Sequence, residues 1–334
     1  LCGKVVRPLD PAAPQGPSIE VHFAVLPALA RNKKPDPVFF FAGGPGQGAI
    51  GLAAPLSRQM ARLLNRRDVV LIDQRGTGRS APLQCAPESP TRPLREALDP
   101  ERQRAELARC RAALQQLPHG DLRQYTTTIA MADAEAVRQA LGVAQVNLVG
   151  GSYGTRAALE YLRQFPQAVR RVVLDGVAPP DMALPASFST DNQAAFDALL
   201  AACAAEAGCQ ARHPQLRAQW TALLQGLPRT VTVAHPVTGR DETLTLTRET
   251  VLGLVRAPLY VPVLASALPH AVAEAAQGRY AALLGLASAM GTARDSELRL
   301  AAGMHFSVVC AEDLPRLAGS SDRPGADFGA SFAD

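Results

Sequence analysis

No apolar run in this sequence approaches the roughly 20 residues that a helical membrane span requires. None of its six cysteines (Cys2, Cys85, Cys110, Cys203, Cys209, Cys310) forms a C-x-x-C pair, and no His-x-x-x-His accompanies them. Neither a zinc site nor any other metal site is therefore expected. A one-signed charge block is missing too. The formal net charge is +4 over 334 residues, and basic residues alternate with acidic ones, as in Arg102, Arg104, Glu106, Arg109 and Arg111. That pattern is a solvated helix face and not a stripe for nucleic acid. The chain opens on Leu1 with no basic-then-apolar leader, so a signal peptide is expected to have been removed, or the sequence to start late. There are no internal repeats. What is present, 47% hydrophobic and 19% charged residues, is a globular composition. Two close cysteine pairs, Cys85/Cys110 and Cys203/Cys209, lie in loop-like or helix-edge sequence. Disulfides are favoured over six buried thiols, with the pairing left open, and they point to an oxidising compartment.

Strand and helix patterns alternate through about residue 175. Ile19, Val21, Phe23 and Val25 share one face of a half-buried strand. Pro37–Ala42 and Asp68–Asp73 are short continuous apolar runs, as central parallel strands are, with an amphipathic helix over Leu56–Leu64 between them. A helix over Met131–Leu141 stops at Gly142, a strand follows over Val146–Val149, then a helix over Thr155–Phe165 and a strand over Arg171–Leu174. The order predicts an α/β fold with a doubly wound, mostly parallel sheet. After Pro179 and Pro180 the texture changes to Ala/Leu-rich helices, with a β-hairpin over Thr230–Ala234 and Glu242–Thr247. The tail from Gly319 has a composition that predicts poor order.

Three motifs carry chemistry. Gly150-Gly151-Ser152-Tyr153-Gly154 stands between a strand and a helix, where a strained turn needs small neighbours and presents the serine hydroxyl at the carboxyl edge of the sheet. Ser152 is the expected nucleophile, with the Tyr153 N–H facing the developing oxyanion. Ala42-Gly43-Gly44-Pro45-Gly46 ends an earlier strand at the same edge. It is expected to supply the second oxyanion donor, Gly44 first and Gly43 next. Asp73-Gln74-Arg75-Gly76-Thr77-Gly78-Arg79-Ser80 reads as a structural loop in which Asp73 and Arg75 pair. Gly46–Gly51 also matches G-x-G-x-x-G with Asp73 downstream, as a dinucleotide site would. That reading is disfavoured because Pro45 removes a phosphate-facing N–H and because it leaves the Ser152 turn unexplained; no cofactor is expected.

Taken together, GGPGQG, DQRGTGRSAPLQC, GGSYGTRAALEYLRQFP and VVLDGVAPP resemble the tripeptidyl/prolyl aminopeptidase-like branch of the α/β-hydrolase fold. The resemblance runs from about Cys2 through Asp181 and returns weakly at Phe306–Asp313. It implies an exported (secreted or periplasmic) bacterial serine peptidase that releases short N-terminal peptides or proline through an acyl-enzyme on Ser152. Tyr153 and Gly44 amides would form its oxyanion hole, Cys85 and Cys110 would carry a disulfide, and Glu312 would be a candidate for the substrate's α-amine. The implied domains are an α/β core over 1–178, a mainly helical cap over 179–315 and a tail over 316–334.

Ala42 stands where prolyl aminopeptidases often have His, which weakens the case for proline release. The acid and base of a Ser-Asp-His order would follow two further strands beyond the cap, and are expected beyond residue 334. Asp175 and His305 preserve the chain order as an internal alternative, while His213, His235 and His270 read as surface or satisfied core residues. Peptides or small esters are the expected substrates. A carboxylesterase and a non-catalytic hydrolase-like binding module are the competing readings. Serine at the elbow argues against dehalogenases and epoxide hydrolases, which place Asp there.

Overall fold

Two runs of four residues, Val38–Phe41 (β3) and Val69–Ile72 (β4), are buried at every position. A strand covered on both faces has no polar side to alternate with. They form the centre of a six-stranded sheet in the order β1-β2-β4-β3-β5-β6. The remaining strands are β1 (Cys2–Pro8), β2 (Ser18–Leu26), β5 (Val146–Gly151) and β6 (Val169–Asp175). The last four strands of that order run parallel, whereas β1 and β2 join antiparallel at one side. Here β1 is an addition to the elements legible in sequence. Among the described residues the outer edge of β6 has no strand partner, and Val173 there is exposed. The computed structural model describes residues 1–292, 300–320 and 322–329.

The chain divides into two units: Leu1–Ala86 with Leu107–Ala183 and Asp295–Ala318, and Pro87–Glu106 with Leu184–Arg294 and Gly319–Asp334. The first holds the sheet. Its core gathers Phe39, Phe41, Ile72, Met131, Val137, Leu148, Tyr153 and Tyr161, and includes Met304 and Val308. Those last two come from helix Ala302–Val308. Residues 300–318 therefore group with the sheet instead of the expected cap, because Met304 and Val308 are spent on the sheet's core. The helix expected over Leu56–Leu64 is two short helices, Ala53–Gln59 and Ala61–Leu64, which still bury Leu56, Met60 and Leu64 on one stripe. Cys85 and Cys110 form a disulfide in this unit.

The second unit is mainly helical. Its core surrounds Phe196, Trp220, Leu246, Val251, Val255 and Val272. The hairpin β7 (Arg229–Ala234) and β8 (Asp241–Leu246) turns Val231, Val233, Leu244 and Leu246 inward, and lays Thr230 against Thr245 and Thr232 against Thr243 on its exposed face. Cys203 and Cys209 form its disulfide. Residues 87–106 belong here and not to the expected 1–178 core, since Leu94 is buried among these side chains and its N–H is held by Glu242 at 2.6 Å. The tail departs from its expected poor order over residues 322–329. Phe328 is buried in this core, and Gln193 Oε1 accepts the Asp327 and Phe328 N–H groups. Residues 321 and 330–334 of that tail lie outside the described residues. Among the described residues no helix is long and apolar enough to cross a membrane.

Candidate active site

Strand β5 ends at Gly151, and helix Tyr153–Gln164 begins two residues later. Ser152 bridges them with φ +54° and ψ −125°. A residue with a Cβ adopts such a backbone only where its surroundings enforce it. The enforcement is visible on both sides. Ser152 N–H donates to the Asp175 carbonyl at 2.9 Å, and the Ser152 carbonyl accepts from Thr155 N–H at 2.9 Å and Thr155 Oγ1 at 2.6 Å. The glycines are required by close approach: a Cβ on Gly154 would overlap the Phe41 carbonyl of β3, and one on Gly150 would overlap the Gly154 carbonyl. Gly151 has open space around it. Ser152 itself is exposed, and its hydroxyl has no hydrogen-bond partner among the described residues.

The loop after β3 passes over this turn. A Cβ on Gly43 would stand 3.2 Å from Ser152 Cβ and 3.6 Å from its Oγ. Gly44 (φ +115°) and Gly46 (φ +109°) have backbones that disfavour any side chain. Neither the Gly44 nor the Tyr153 N–H donates to a protein acceptor among the described residues. Tyr153 is the first residue of its helix, where N–H groups lack intrahelical partners and carry the positive end of the helix dipole. Its side chain is buried and shares a 2.7 Å hydrogen bond with Thr127 Oγ1. Burial pushes its phenol well above the ordinary tyrosine range, so the group stays a neutral hydroxyl.

The neighbouring loop is braced as expected in kind, with a different pairing. Asp73 accepts the N–H groups of Ile50 at 2.9 Å and Arg79 at 3.0 Å, and burial raises its carboxyl above the usual range. Arg75 instead pairs with Asp133, at 2.7 and 2.9 Å, and donates to the carbonyls of Leu9 and Gln124. Asp73 does not serve Arg75 because one oxygen takes the Ile50 amide of the Gly46–Gly51 segment and the other the Arg79 amide of its own loop. That use also accounts for the G-x-G-x-x-G pattern: Gly48 packs on Asp73 and Gly46 on Ala301, so both glycines serve backbone packing.

Glu312 is placed within the sheet unit, where Oε1 accepts from Thr127 N–H at 2.6 Å and Oε2 from Thr127 Oγ1 at 2.8 Å. Both oxygens are used at the first residue of helix Thr127–Ala140, the ordinary place for a helix-end acid. Asp175 ends β6 with an exposed side chain. His305 lies in the sheet unit, with Nδ1 3.1 Å from the Pro45 carbonyl, and burial lowers its pKa. No hydrogen bond joins Ser152, Asp175 and His305 side chains among the described residues. His235 is buried and satisfied by the Arg92 carbonyl and the Val237 and Thr238 amides. One further partner of the helix after Ser152 is not legible in the sequence. Arg156 Nη1 donates to buried Asp313 at 2.7 Å and Nη2 to the Met182 carbonyl at 2.9 Å.

A family profile described as alpha/beta hydrolase fold matches residues 36–205. The chain belongs to the α/β-hydrolase fold family. It is 28% identical over 316 residues to the serine protease Hip1 of Mycobacterium tuberculosis, covering 90% of this chain and 60% of that protein. It is 32% identical over 197 residues to the tripeptidyl aminopeptidase of Streptomyces lividans, covering 54% and 35%. To the proline iminopeptidase of Neisseria meningitidis it is 31% identical over 141 residues, covering 42% and 32%. The chain thus spans 60% or less of the length of these relatives.

Proposed function

We propose that this chain carries the nucleophile and oxyanion hole of an exported serine peptidase acting at peptide N-termini. The observation that carries the reading is the Ser152 turn: a positive-φ serine with an exposed hydroxyl, between a buried parallel strand and a helix N-terminus, under a glycine loop. In the proposed reaction Ser152 Oγ attacks the scissile carbonyl and gives its proton to a base. The oxyanion is met by the Tyr153 and Gly44 N–H groups, with Gly43 lying against the nucleophile. The leaving amine takes the proton, and water then releases the acyl group from Ser152. Donors fixed in advance need no reorganisation as charge develops, and one such donor contributes about 10²–10³ in kcat. No imidazole among the described residues hydrogen-bonds the Ser152 hydroxyl, so the reading requires a base that those residues do not supply.

Relatives named as a serine protease, a tripeptidyl aminopeptidase and a proline iminopeptidase support peptide substrates. The two disulfides support an oxidising compartment, secreted or periplasmic. A fluorophosphonate probe tests the nucleophile: labelling of the wild type and none of Ser152→Ala is expected. Peptidyl p-nitroanilides with free and acetylated N-termini, beside p-nitrophenyl acetate, then test the substrate class. Cleavage of only the free N-terminal peptides supports the reading. Ester turnover without peptide turnover would replace it with a carboxylesterase, and a folded, unlabelled protein with a binding module.

A further inference from the structure

The loop that carries Gly44 has little to hold it by itself. Three of its four residues over 43–46 are glycine, and its internal backbone bond is the long one from Gln47 N–H to the Gly43 carbonyl, at 3.3 Å. Its restraint comes from a segment more than 250 residues away in sequence. Ala301 N–H donates to the Gly46 carbonyl at 2.8 Å, and His305 Nδ1 stands 3.1 Å from the Pro45 carbonyl. A carbonyl only accepts, so Nδ1 carries the hydrogen and donates. The two donors belong to one helical turn, since His305 N–H closes on the Ala301 carbonyl at 2.9 Å. Leu300 fills the remaining side: a Cβ on Gly44 would be 3.1 Å from its Cδ2.

The other end of this segment grips the nucleophile's helix. Asp313 takes Arg156 at 2.7 Å, and Glu312 takes the Thr127 hydroxyl that is bonded to the Tyr153 phenol. Residues 301–313 are therefore fastened to both walls of the oxyanion hole, the glycine loop by Ala301 and His305 and the elbow helix by Glu312 and Asp313. Met304, fully buried between them, packs on Gly76 of the third motif loop.

We propose that His305 is a positioning residue, a clamp on the Pro45 carbonyl that sets where the Gly44 N–H points. This rests on the reading of Gly44 as an oxyanion donor. A displaced donor weakens the transition state more than the ground state, and a misplacement of about 1 Å costs on the order of 10²-fold in rate. Loss of the clamp should accordingly appear in kcat and leave KM nearly unchanged.

The test compares His305→Leu, which keeps bulk and removes the donor, with His305→Asn, whose side-chain amide N–H takes the place of Nδ1–H. Two readouts are made on the full-length protein: turnover of the substrate that the wild type accepts, and hydrogen exchange of the peptide covering residues 43–52. The expected result for His305→Leu is a fall in kcat of about 10- to 100-fold, KM within about twofold, and faster exchange in 43–52. His305→Asn should restore both readouts. Loss of activity in both variants to the Ser152→Ala level would make His305 the base and overturn the clamp. Unchanged exchange in His305→Leu would overturn it as well. The exchange readout stands even if Ser152→Ala matches the wild type in turnover, so failure of the clamp and failure of the hydrolase reading are separable.

Discussion

Arg156 and Asp313 form an ion pair at 2.7 Å in which neither side chain reaches solvent appreciably. Arg156 stands one turn into the helix that follows Ser152, so the pair joins that helix to the segment that holds the glycine loop. Arg156 Nε and Asp313 Oδ2 lack partners, which leaves the pair incompletely compensated. Removing Asp313 leaves buried Arg156 with Glu312, at 3.8 Å, as its remaining carboxylate. Asp313→Ala is expected to cost about 3 kcal/mol, the lower end for buried pairs broken on one side. The exposed Lys4–Glu20 pair provides the control: Glu20→Ala should leave the denaturation midpoint unchanged. Urea denaturation of the two variants checks both statements.

The elbow glycines are not equivalent. Gly154→Ala pushes a methyl into the Phe41 carbonyl on a central strand, where the backbone has no room to yield. The expected loss is roughly 3 kcal/mol, the upper end for overpacking, with reduced soluble yield. Gly151→Ala meets nothing within 4 Å and should fold with wild-type stability. Thermal unfolding of the pair decides the matter; equal midpoints would show that the β3–helix approach is looser than described.

The two disulfides should differ in worth. Cys85–Cys110 closes a sequence separation of 25 residues and Cys203–Cys209 one of 6. By chain entropy the longer loop contributes about 3.5 kcal/mol and the shorter about 2. Replacing each pair with serines and comparing guanidinium midpoints tests the order. A larger loss from the short loop would point to native-state packing as the dominant effect.

Burial holds His305 below its ordinary value of 6.5, with the Pro45 carbonyl and Asp313 pulling the other way. A lowered folded-state pKa means the unfolded chain takes up the proton first. Stability from this group is complete above pH about 6.5 and declines as pH falls through that value toward the folded pKa. Denaturation from pH about 7.5 to 5 should therefore show a loss that His305→Asn lacks. The imidazole Cε1–H resonance, followed by NMR, should titrate below 6.5.

The central strands were legible because VFFF and VVLI admit no other environment, and the Ser152 turn because glycines at fixed offsets follow one of them. The family relation rested on the same residues. Long-range polar pairing was not legible. Asp73 and Arg75 are two residues apart and look complementary, yet Arg75 finds Asp133 and Asp73 finds two amides. Nothing in local sequence says which acid will be nearest once the sheet closes. Glu312, which the family resemblance offers for a substrate α-amine, has both oxygens on Thr127 instead, a long-range pairing of the same kind. His305 falls within the span expected for the cap, because no strand pattern in the local sequence marks a return to the sheet. Only burial of Met304 and Val308 distinguishes its helix. The tail's composition predicts poor order, but buried Phe328 and the Gln193 and Ser189 hydrogen bonds dock residues 322–329.

The outer side of β6 adds a constraint on handling. Its backbone N–H and C=O groups on that side face no strand among the described residues, and Val173 is 56% exposed beside them. Such a margin is a template for another extended chain. Arg170 and Arg171 at its start and Asp175 at its end are exposed or only half-buried charges. Charges at an open margin disfavour its pairing with another extended chain.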